Sequence, residues 1–289
     1  FLNRTCTPFG KETLSHWLRQ PLDNKIDIET RQQAIKELSR YNDFRETFRI
    51  TGCLNKNDET TMSDLKEWIA SPSVFLQKRS NQWICRAVPV INIILFVLGM
   101  MNVISMSWFG LAFCSFAIAS SKLIRKITLI QESYNKTLKM LSTYVRLIEL
   151  ADKQSMESPL LTSLKKEFES HGKKAPLILG ILSKELDRLD LRNNLILYAL
   201  LEGSMFWQLR QMLRIERWKE EYGAHLLQWL EALGQLDALC ALGTFAFNHE
   251  EYTFPIITDK PFVFRAKDMG HPLMPRKQCV VNDAEIPQR

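Results

Sequence analysis

The sequence has no Cys-x-x-Cys pair, and none of its six cysteines stands at metal-ligand spacing from any of its five histidines. Structural zinc sites require such spacing, and dense disulfide frameworks belong mainly to small secreted domains. No Ser/His/Asp or Cys/His set suggests nucleophilic catalysis. The sequence therefore predicts no metal site and no catalytic residue, and it favours a reduced, cytosolic chain.

Glycine and proline are also scarce, with 11 of each among 289 residues. Long charged and apolar stretches run without either residue, which predicts a mainly helical protein. The length suffices for about two domains, and 46% hydrophobic residues allow a large core. The net charge of +6 permits contact with phosphates or anionic lipids without establishing either, since such an excess is also typical of a solvated surface.

One stretch, Ala87 to Ser121, contains no charged residue: AVPVINIILFVLGMMNVISMSWFGLAFCSFAIASS. A membrane-spanning helix needs about 20 apolar residues, so this length predicts a hairpin of two short spans with a turn near Asn102 to Ser107. Basic residues on both flanks place both ends on the cytoplasmic side; they are Lys78, Arg79, Arg86, Lys122, Arg125 and Lys126. The alternative is a pair of buried core helices. Pro89 and Asn92 favour it, because they offset part of the free energy gained by inserting the apolar residues into a membrane.

Amphipathic helices are predicted on both sides of this stretch. Ser158-Pro159 and Ala175-Pro176 each open one, and the longest apolar seam has the spacing 4, 3, 4, 3, 4 that suits packing against another long helix. Its members are Tyr222, Leu226, Trp229, Leu233, Leu236 and Cys240. From Pro255 onward the runs FVFRAKD and CVVNDAEI predict short strands, which we place at Phe262 to Arg265 and Cys279 to Asn282.

The first residues form a turn, a short helix that stops before Pro21, and a second helix. This pattern resembles the start of the MutS core domain: a Thr-x-Thr-x-x-Gly turn, a Leu-x-x-Trp-Leu helix, Pro-Leu, and an Ile-x-x-Arg-x-x-Ala-Val helix. The matching residues are Thr5, Thr7, Gly10, Leu14, Trp17, Leu18, Pro21, Leu22, Ile28, Arg31, Ala34 and Ile35. Two later segments, LGQLDALCALGTFAFNHEEYTFPII and GHPLMPRKQCVVNDAEI, are similar to the helix that closes that core and to the elements ahead of the family's phosphate-binding loop.

The resemblance implies a structural role for the opening segment. Thr5, Thr7, Gly10, Trp17, Leu18, Pro21 and Arg31 would form a bracket at the base of long lever helices that couple an ATPase to the far end of the molecule. We expect Trp17 and Leu18 to anchor the short helix in the core and Arg31 to face outward. The implied fold is a mainly α bundle of lever helices with an apolar hairpin and a short β-containing C-terminal segment.

The resemblance also implies a nucleotide site. Cys279, Val280, Val281 and Asn282 would border the base, although a thiol at Cys279 gives little stacking surface where the family often has an aromatic residue. No Gly-x-x-x-x-Gly-Lys-Ser/Thr loop is present. We therefore expect ATP and Mg²⁺ in the full-length protein and neither in this stretch, which looks like a piece of a longer chain.

These observations predict four segments: residues 1–84 as the first part of the core, 85–126 as the hairpin, 127–250 as lever and core helices, and 251–289 as the start of an ATPase domain. The expected function is that of a membrane-attached MutS-like DNA-repair ATPase on the cytoplasmic side of the inner membrane. Its expected partners are DNA, bound weakly by this stretch, the membrane through Ala87 to Ser121, and a second copy in the full-length protein. The alternatives are a soluble DNA-binding scaffold, which would be cytoplasmic, and a non-enzymatic membrane adaptor.

Overall fold

A computed structural model describes residues 2–54, 62–170, 173–189, 195–259, 264–272, 274 and 276–286. It gives the backbone but not the side chains over 122–140 and at positions 62, 64, 142, 170, 173, 187, 189, 195, 196 and 276. The chain is mainly helical, as predicted. The helices are α1 (Pro8–Arg19), α2 (Lys25–Arg40), α3 (Asn42–Cys53), α4 (Met62–Ala70), α5 (Arg79–Met100), α6 (Met106–Lys153), α7 (Pro159–Glu167), α8 (Ala175–Leu189), α9 (Leu195–Met205) and α10 (Trp207–Asn248). The strands are β1 (Glu169–Ser170), β2 (Lys173–Lys174), β3 (Phe264–Met269) and β4 (Asn282–Ile286).

The chain divides into two compact units. The first contains Phe1–Cys53, Gln154–Lys166 and Leu233–Arg289, and the second contains Leu54–Lys153 and Glu167–Ala232. Both units are therefore assembled from segments that are distant in sequence. The four segment boundaries expected from the sequence stay a prediction.

In the first unit, α1, α2 and α3 pack with the C-terminal part of α10. Leu14 of α1 is buried against Ala238 and Ala241, and Leu38 of α2 lies beside Gly243. A β-carbon at Gly243 would approach Leu38 to 3.1 Å, so the glycine permits close contact between α2 and α10. The core of this unit therefore forms where short N-terminal helices meet one long C-terminal helix.

In the second unit, α6 packs against α5, α8 and α9. A cluster of buried residues joins the connector before α5 to the start of α10; it consists of Phe75, Cys85, Val88, Phe206, Leu209, Met212 and Leu213. The predicted seam of α10 is confirmed, because all six of its members are buried. Sequence periodicity thus identified the packing face of α10.

The predicted helix starts and stops are largely confirmed. Helix α1 ends at Arg19, two residues before Pro21, and α7 and α8 begin at the Ser158-Pro159 and Ala175-Pro176 steps. The apolar hairpin also forms, with its turn over Met101 to Ser105. One feature was not anticipated: α6 is a single helix of 48 residues, which continues from the uncharged stretch through the basic flank without a break.

The C-terminal strands differ from the predicted bounds. Strand β3 pairs antiparallel with β4, with Phe264 opposite Ile286 and Arg265 opposite Glu285. The strand expected at Cys279 to Asn282 instead starts at Asn282, because the paired segment is the later NDAEI run. The predicted start at Phe262 lies outside the described residues.

Candidate functional site

The opening bracket is organised by a residue that the sequence did not single out, Asp237 of α10. Its carboxylate accepts hydrogen bonds from the backbone N–H of Cys6 at 3.1 Å and of Thr7 at 2.8 Å, and from the Thr7 hydroxyl at 2.7 Å. The Thr7 hydroxyl oxygen in turn accepts from the backbone N–H of Gly10 at 2.9 Å and so caps α1. One buried carboxylate therefore fixes both the extended segment at Cys6 and Thr7 and the first turn of α1.

Close contact with α10 explains why the Thr-x-Thr-x-x-Gly turn has glycine at position 10. A β-carbon at Gly10 would overlap the carboxylate of Asp237, and one at Gly234 would lie 2.8 Å from the β-carbon of Phe9. Burial raises the pKa of Asp237 above its ordinary value, and the hydrogen bonds from Thr7 and Cys6 oppose that rise. The turn and α10 are thus matched at atomic contact.

Two bracket residues behave differently from the expectation. Leu18 does not anchor α1 in the core, because its side chain is 58% exposed and Leu14 is buried in its place. Arg31 does not face outward: its guanidinium lies 3.9 Å from the centre of the Trp17 ring, and Trp17 is half-buried. The bracket is therefore closed by a cation–π contact rather than by a Trp-Leu pair. Pro21 is exposed, and Thr5 bonds to Asn3 through its hydroxyl.

The four residues expected at the nucleotide base lie directly before β4 and at its first position. Val280 is 78% exposed and Val281 is 48% exposed. Cys279 is half-buried, with its thiol 3.8 Å from the His271 carbonyl oxygen. Val280 and Val281 thus form an exposed apolar edge.

The most distinctive surface is the apolar face of the hairpin formed by α5 and the start of α6. Large hydrophobic side chains here are at least 40% exposed: Val90, Ile91, Ile93, Ile94, Phe96, Val97, Met100, Met101, Val103, Met106, Trp108, Leu111 and Ile118. Soluble monomers rarely expose so large a contiguous apolar patch. Two helices in the described residues are long and apolar enough to cross a membrane, Arg79–Met100 and Trp207–Asn248. Only 22% of the most apolar 18-residue segment of the first helix is buried, against 61% in the second. The second is accordingly a core helix.

The base of the hairpin is braced by α10 where a proline interrupts α5. Pro89 has no N–H, so the carbonyl of Cys85, four residues earlier, loses its helical partner. The guanidinium of Arg210 donates to that carbonyl at 2.6 Å. Arg210 therefore satisfies a backbone group that the proline leaves without its usual bond.

The connector between α4 and α5 is also tied to α10, by two side chains one turn apart. The Glu216 carboxylate accepts from the N–H of Phe75 at 3.0 Å and of Leu76 at 2.6 Å. The Lys219 ammonium donates to the Ser71 carbonyl at 2.7 Å. Burial raises the pKa of Glu216 and lowers that of Lys219. The entry to the hairpin is therefore held by a polar clamp within the second unit.

Helix α9 packs against the hairpin. The Asn92 amide, which is buried, donates to the carbonyls of Gly203 at 3.0 Å and Ser204 at 3.1 Å, in the last turn of α9. A β-carbon at Gly203 would lie 2.5 Å from the Phe113 ring. Asn92 thus compensates backbone groups at a helix end, which explains a polar residue in the middle of an apolar stretch.

Within the part of the chain that the structure describes, no three His, Cys, Asp or Glu side chains are grouped to hold a metal ion. The six cysteines are free thiols.

Comparison with known proteins identifies a family and a curated relative. The family model of MutS domain III matches residues 1–243. A DNA mismatch repair protein MutS of Caldanaerobacter subterraneus subsp. tengcongensis is 44% identical over 55 residues. That alignment covers 19% of this chain and 6% of the relative, so the match is confined to a small part of a much longer protein. No solved structure matches the chain.

Proposed function

Because this chain belongs to the MutS family through its domain III, we propose that it is the core and lever portion of a MutS-like DNA-repair ATPase that is attached to a membrane. The family membership supports the repair function, and the curated relative carries that name. The exposed apolar face of α5 and α6 carries the proposal of membrane attachment.

The exposed hairpin face favours lipid over water as its surroundings. Burying an apolar side chain of this size is worth about 1.5–3 kcal/mol, so a face bearing residues such as Ile93, Ile94 and Val97 at 62%, 51% and 46% exposure is costly in water. Asn92, the polar residue least suited to lipid, faces α9 and is hydrogen-bonded there. The amide of Asn92 therefore does not oppose insertion of the outward face.

The two helices of the hairpin are shorter than the hydrocarbon core of an ordinary bilayer, so their lengths fit a locally thinned bilayer. The uncharged part of α5, Ala87 to Met100, rises about 21 Å, and Met106 to Ser121 rises about 24 Å, whereas a hydrocarbon core is about 30 Å thick. Trp83 near the base and Trp108 beside the turn are 68% and 62% exposed, and tryptophan prefers the two membrane interfaces. We propose that both ends of the hairpin lie on the cytoplasmic side of the inner membrane, with local thinning of the bilayer.

Nucleotide and DNA enter the proposal through the family. We propose that ATP and Mg²⁺ act in the full-length protein, where Cys279 to Asn282 would border the base, and that α10 transmits the resulting movement. Helix α10 is continuous over 42 residues, which suits a lever. DNA contact by this chain is proposed to be weak, and a homodimer is proposed for the full-length protein.

Topology mapping tests the membrane attachment. In a variant with the native cysteines replaced, Ser105→Cys at the turn should react with an impermeant thiol reagent added outside intact cells. Arg79→Cys and, as a matched position in the first unit, Arg49→Cys should react only after the cells are opened. Equal protection of all three positions, combined with a monodisperse protein in the absence of detergent, would instead support the soluble DNA-binding scaffold.

A measurement of ATP hydrolysis distinguishes the ATPase hypothesis from the adaptor hypothesis. The full-length protein should hydrolyse ATP when it is purified in detergent. A full-length protein that inserts in membranes but neither binds nor hydrolyses ATP would support the non-enzymatic adaptor.

A further inference from the structure

A basic surface pocket lies at the base of the hairpin, on the first two turns of α5. Arg79, Gln82, Trp83 and Arg86 line an open pocket of about 300 Å³. Their spacing of 3, 1 and 3 residues places them on one face of the helix. We refer to this site as the arginine pocket.

The electrostatics of the arginine pocket favour an anion. Arg79, Trp83 and Arg86 are exposed, and the first turn of α5 contains no acidic residue. Lys78 directly precedes the helix, and the positive end of the helix dipole adds to the guanidinium of Arg79 in the first turn. Glu216 of α10 is engaged by the backbone N–H groups of Phe75 and Leu76 in the connector before α5.

One side chain of the arginine pocket, that of Gln82, is held in place by a hydrogen bond. The Gln82 amide donates to the Leu76 carbonyl at 3.1 Å, which holds this side chain against the connector. Arginine can contact a phosphate through two parallel N–H groups. The Trp83 ring is 68% exposed beside the guanidinium groups, at the boundary where the charged turn gives way to the uncharged residues after Arg86.

We propose that the arginine pocket binds the phosphate of an anionic phospholipid headgroup in the leaflet that anchors the hairpin. The proposal rests on the membrane attachment proposed above. Headgroup phosphates lie at the depth where the apolar face begins, and the indole of Trp83 is suited to that same interfacial layer. The pocket thereby gives the anchor a preference for anionic membranes in addition to its hydrophobic insertion.

The test uses the 289-residue chain and separates insertion from headgroup binding. Flotation with vesicles of pure phosphatidylcholine reports insertion. Native mass spectrometry of the chain in maltoside micelles, titrated with dioctanoyl phosphatidylglycerol or dioctanoyl phosphatidylcholine, reports headgroup binding. We expect flotation with neutral vesicles and preferential retention of phosphatidylglycerol.

Arg79→Gln/Arg86→Gln should weaken phosphatidylglycerol binding about thirtyfold, because each basic residue near an anionic membrane surface contributes about fivefold. Flotation with neutral vesicles should be unchanged. The matched control, Arg4→Gln/Arg49→Gln, removes two exposed arginines of the first unit and should leave both measurements unchanged. Circular dichroism of each variant verifies that the helices are intact.

The outcomes are distinct. A chain that does not float with neutral vesicles overturns the membrane attachment. A chain that floats but retains both lipids equally, or whose phosphatidylglycerol binding survives the double substitution, overturns the headgroup site alone. Loss of duplex DNA binding in Arg79→Gln/Arg86→Gln with intact phosphatidylglycerol retention would assign the pocket to nucleic acid and overturn the proposal as well.

Discussion

Among single residues, Asp237 bears most directly on the family signature at the N-terminus. The Thr-x-Thr-x-x-Gly turn would otherwise be a short loop, yet its two backbone N–H groups and one hydroxyl converge on a carboxylate that is 2% exposed. Hydrogen bonds to a charged partner are stronger than those between neutral groups. The conformation of the turn therefore depends on a residue about 230 positions away.

Asp237→Asn should destabilise the first unit by about 2–4 kcal/mol, because an amide nitrogen would face N–H donors in a buried site. Denaturant unfolding in detergent measures the change. Asp23→Asn removes a carboxylate in an exposed loop and serves as the control, with an expected effect of less than about 0.5 kcal/mol. An equally small effect of Asp237→Asn would show that the bracket is held by packing alone.

Glu37 provides a pH-dependent contact in the same unit. Its carboxylate accepts from the backbone N–H of Glu157 at 2.8 Å and of Ser158 at 2.7 Å, directly before α7. Burial alone would raise the pKa of Glu37, but the hydrogen bonds outweigh burial and hold the pKa below its ordinary value. A carboxyl with a depressed pKa contributes stability at neutral pH, and that stability is lost as the pH falls through the folded-state pKa.

Glu37→Gln should therefore cost about 0.5–1.5 kcal/mol at pH 7, and the difference from the wild type should shrink as the pH falls from 5 to 3. Urea unfolding at several pH values gives both quantities. Glu46→Gln, at an exposed position of α3, should show no such pH dependence. A difference that stays constant down to pH 3 would contradict the role of the charge.

For whole elements, the sequence predicted which helices form and which of their faces are apolar better than it predicted the neighbours that cover those faces. The hairpin was predictable because 35 residues without charge exceed one span, and the α10 seam because its spacing is regular. The continuity of α6 was not, because a change from apolar to basic residues alters the surroundings of a helix without interrupting its backbone bonds. Leu18 and Arg31 were misassigned for a related reason: helical spacing gives a face but not which neighbour covers it.

The candidate site was predictable only in part on the same grounds. The apolar stretch and its basic flanks are local in sequence, and they mark the hairpin and the position of the arginine pocket. Asp237, Glu216 and Arg210 act on residues 125 to 231 positions away. No local pattern in the sequence announces such pairs, although Pro89 signals that some donor must compensate the carbonyl of Cys85.

The Pro89 and Arg210 pair can be tested by a double-mutant cycle. Arg210→Met should cost about 1.5–3 kcal/mol in the native background, because it leaves the Cys85 carbonyl without a donor. In the Pro89→Ala background the restored helical N–H should reduce that cost by about 1 kcal/mol or more. Unfolding in maltoside micelles supplies the four free energies, and Arg217→Met, an exposed position of α10, is the control. Equal costs in both backgrounds would separate Arg210 from the proline break.

For the whole molecule, the basic excess bears on DNA. The net charge of +6 is spread over 289 residues, and single-strand platforms instead interleave basic and aromatic residues along one groove. We expect the chain to bind duplex DNA weakly, with strong salt dependence and no mismatch preference. Salt-titrated binding to paired and mismatched duplexes measures both. A preference above about tenfold, or roughly 1.4 kcal/mol, would contradict this expectation and place a mismatch reader in the chain.

The described C-terminal segment offers the base of ATP a contact surface without a site for its phosphates. ATP phosphates need the backbone N–H groups of a glycine-rich loop at a helix N-terminus and a lysine for the terminal phosphates, and the sequence contains no such motif. The edge formed by Val280 and Val281 is exposed and apolar. It can contact the base of a nucleotide, but it provides no hydrogen-bond donor or positive charge for the phosphates.

Calorimetry should therefore detect no ATP binding by the 289-residue chain and clear binding by the full-length protein. In the full-length protein, Cys279→Phe should tighten ATP binding about two- to tenfold, because an aromatic ring adds stacking worth about 0.5–1.5 kcal/mol. Cys114→Phe, at an exposed position of the hairpin, should leave ATP binding unchanged. Micromolar binding by the 289-residue chain would place the nucleotide site elsewhere, and an unchanged affinity in Cys279→Phe would remove this position from the base contact.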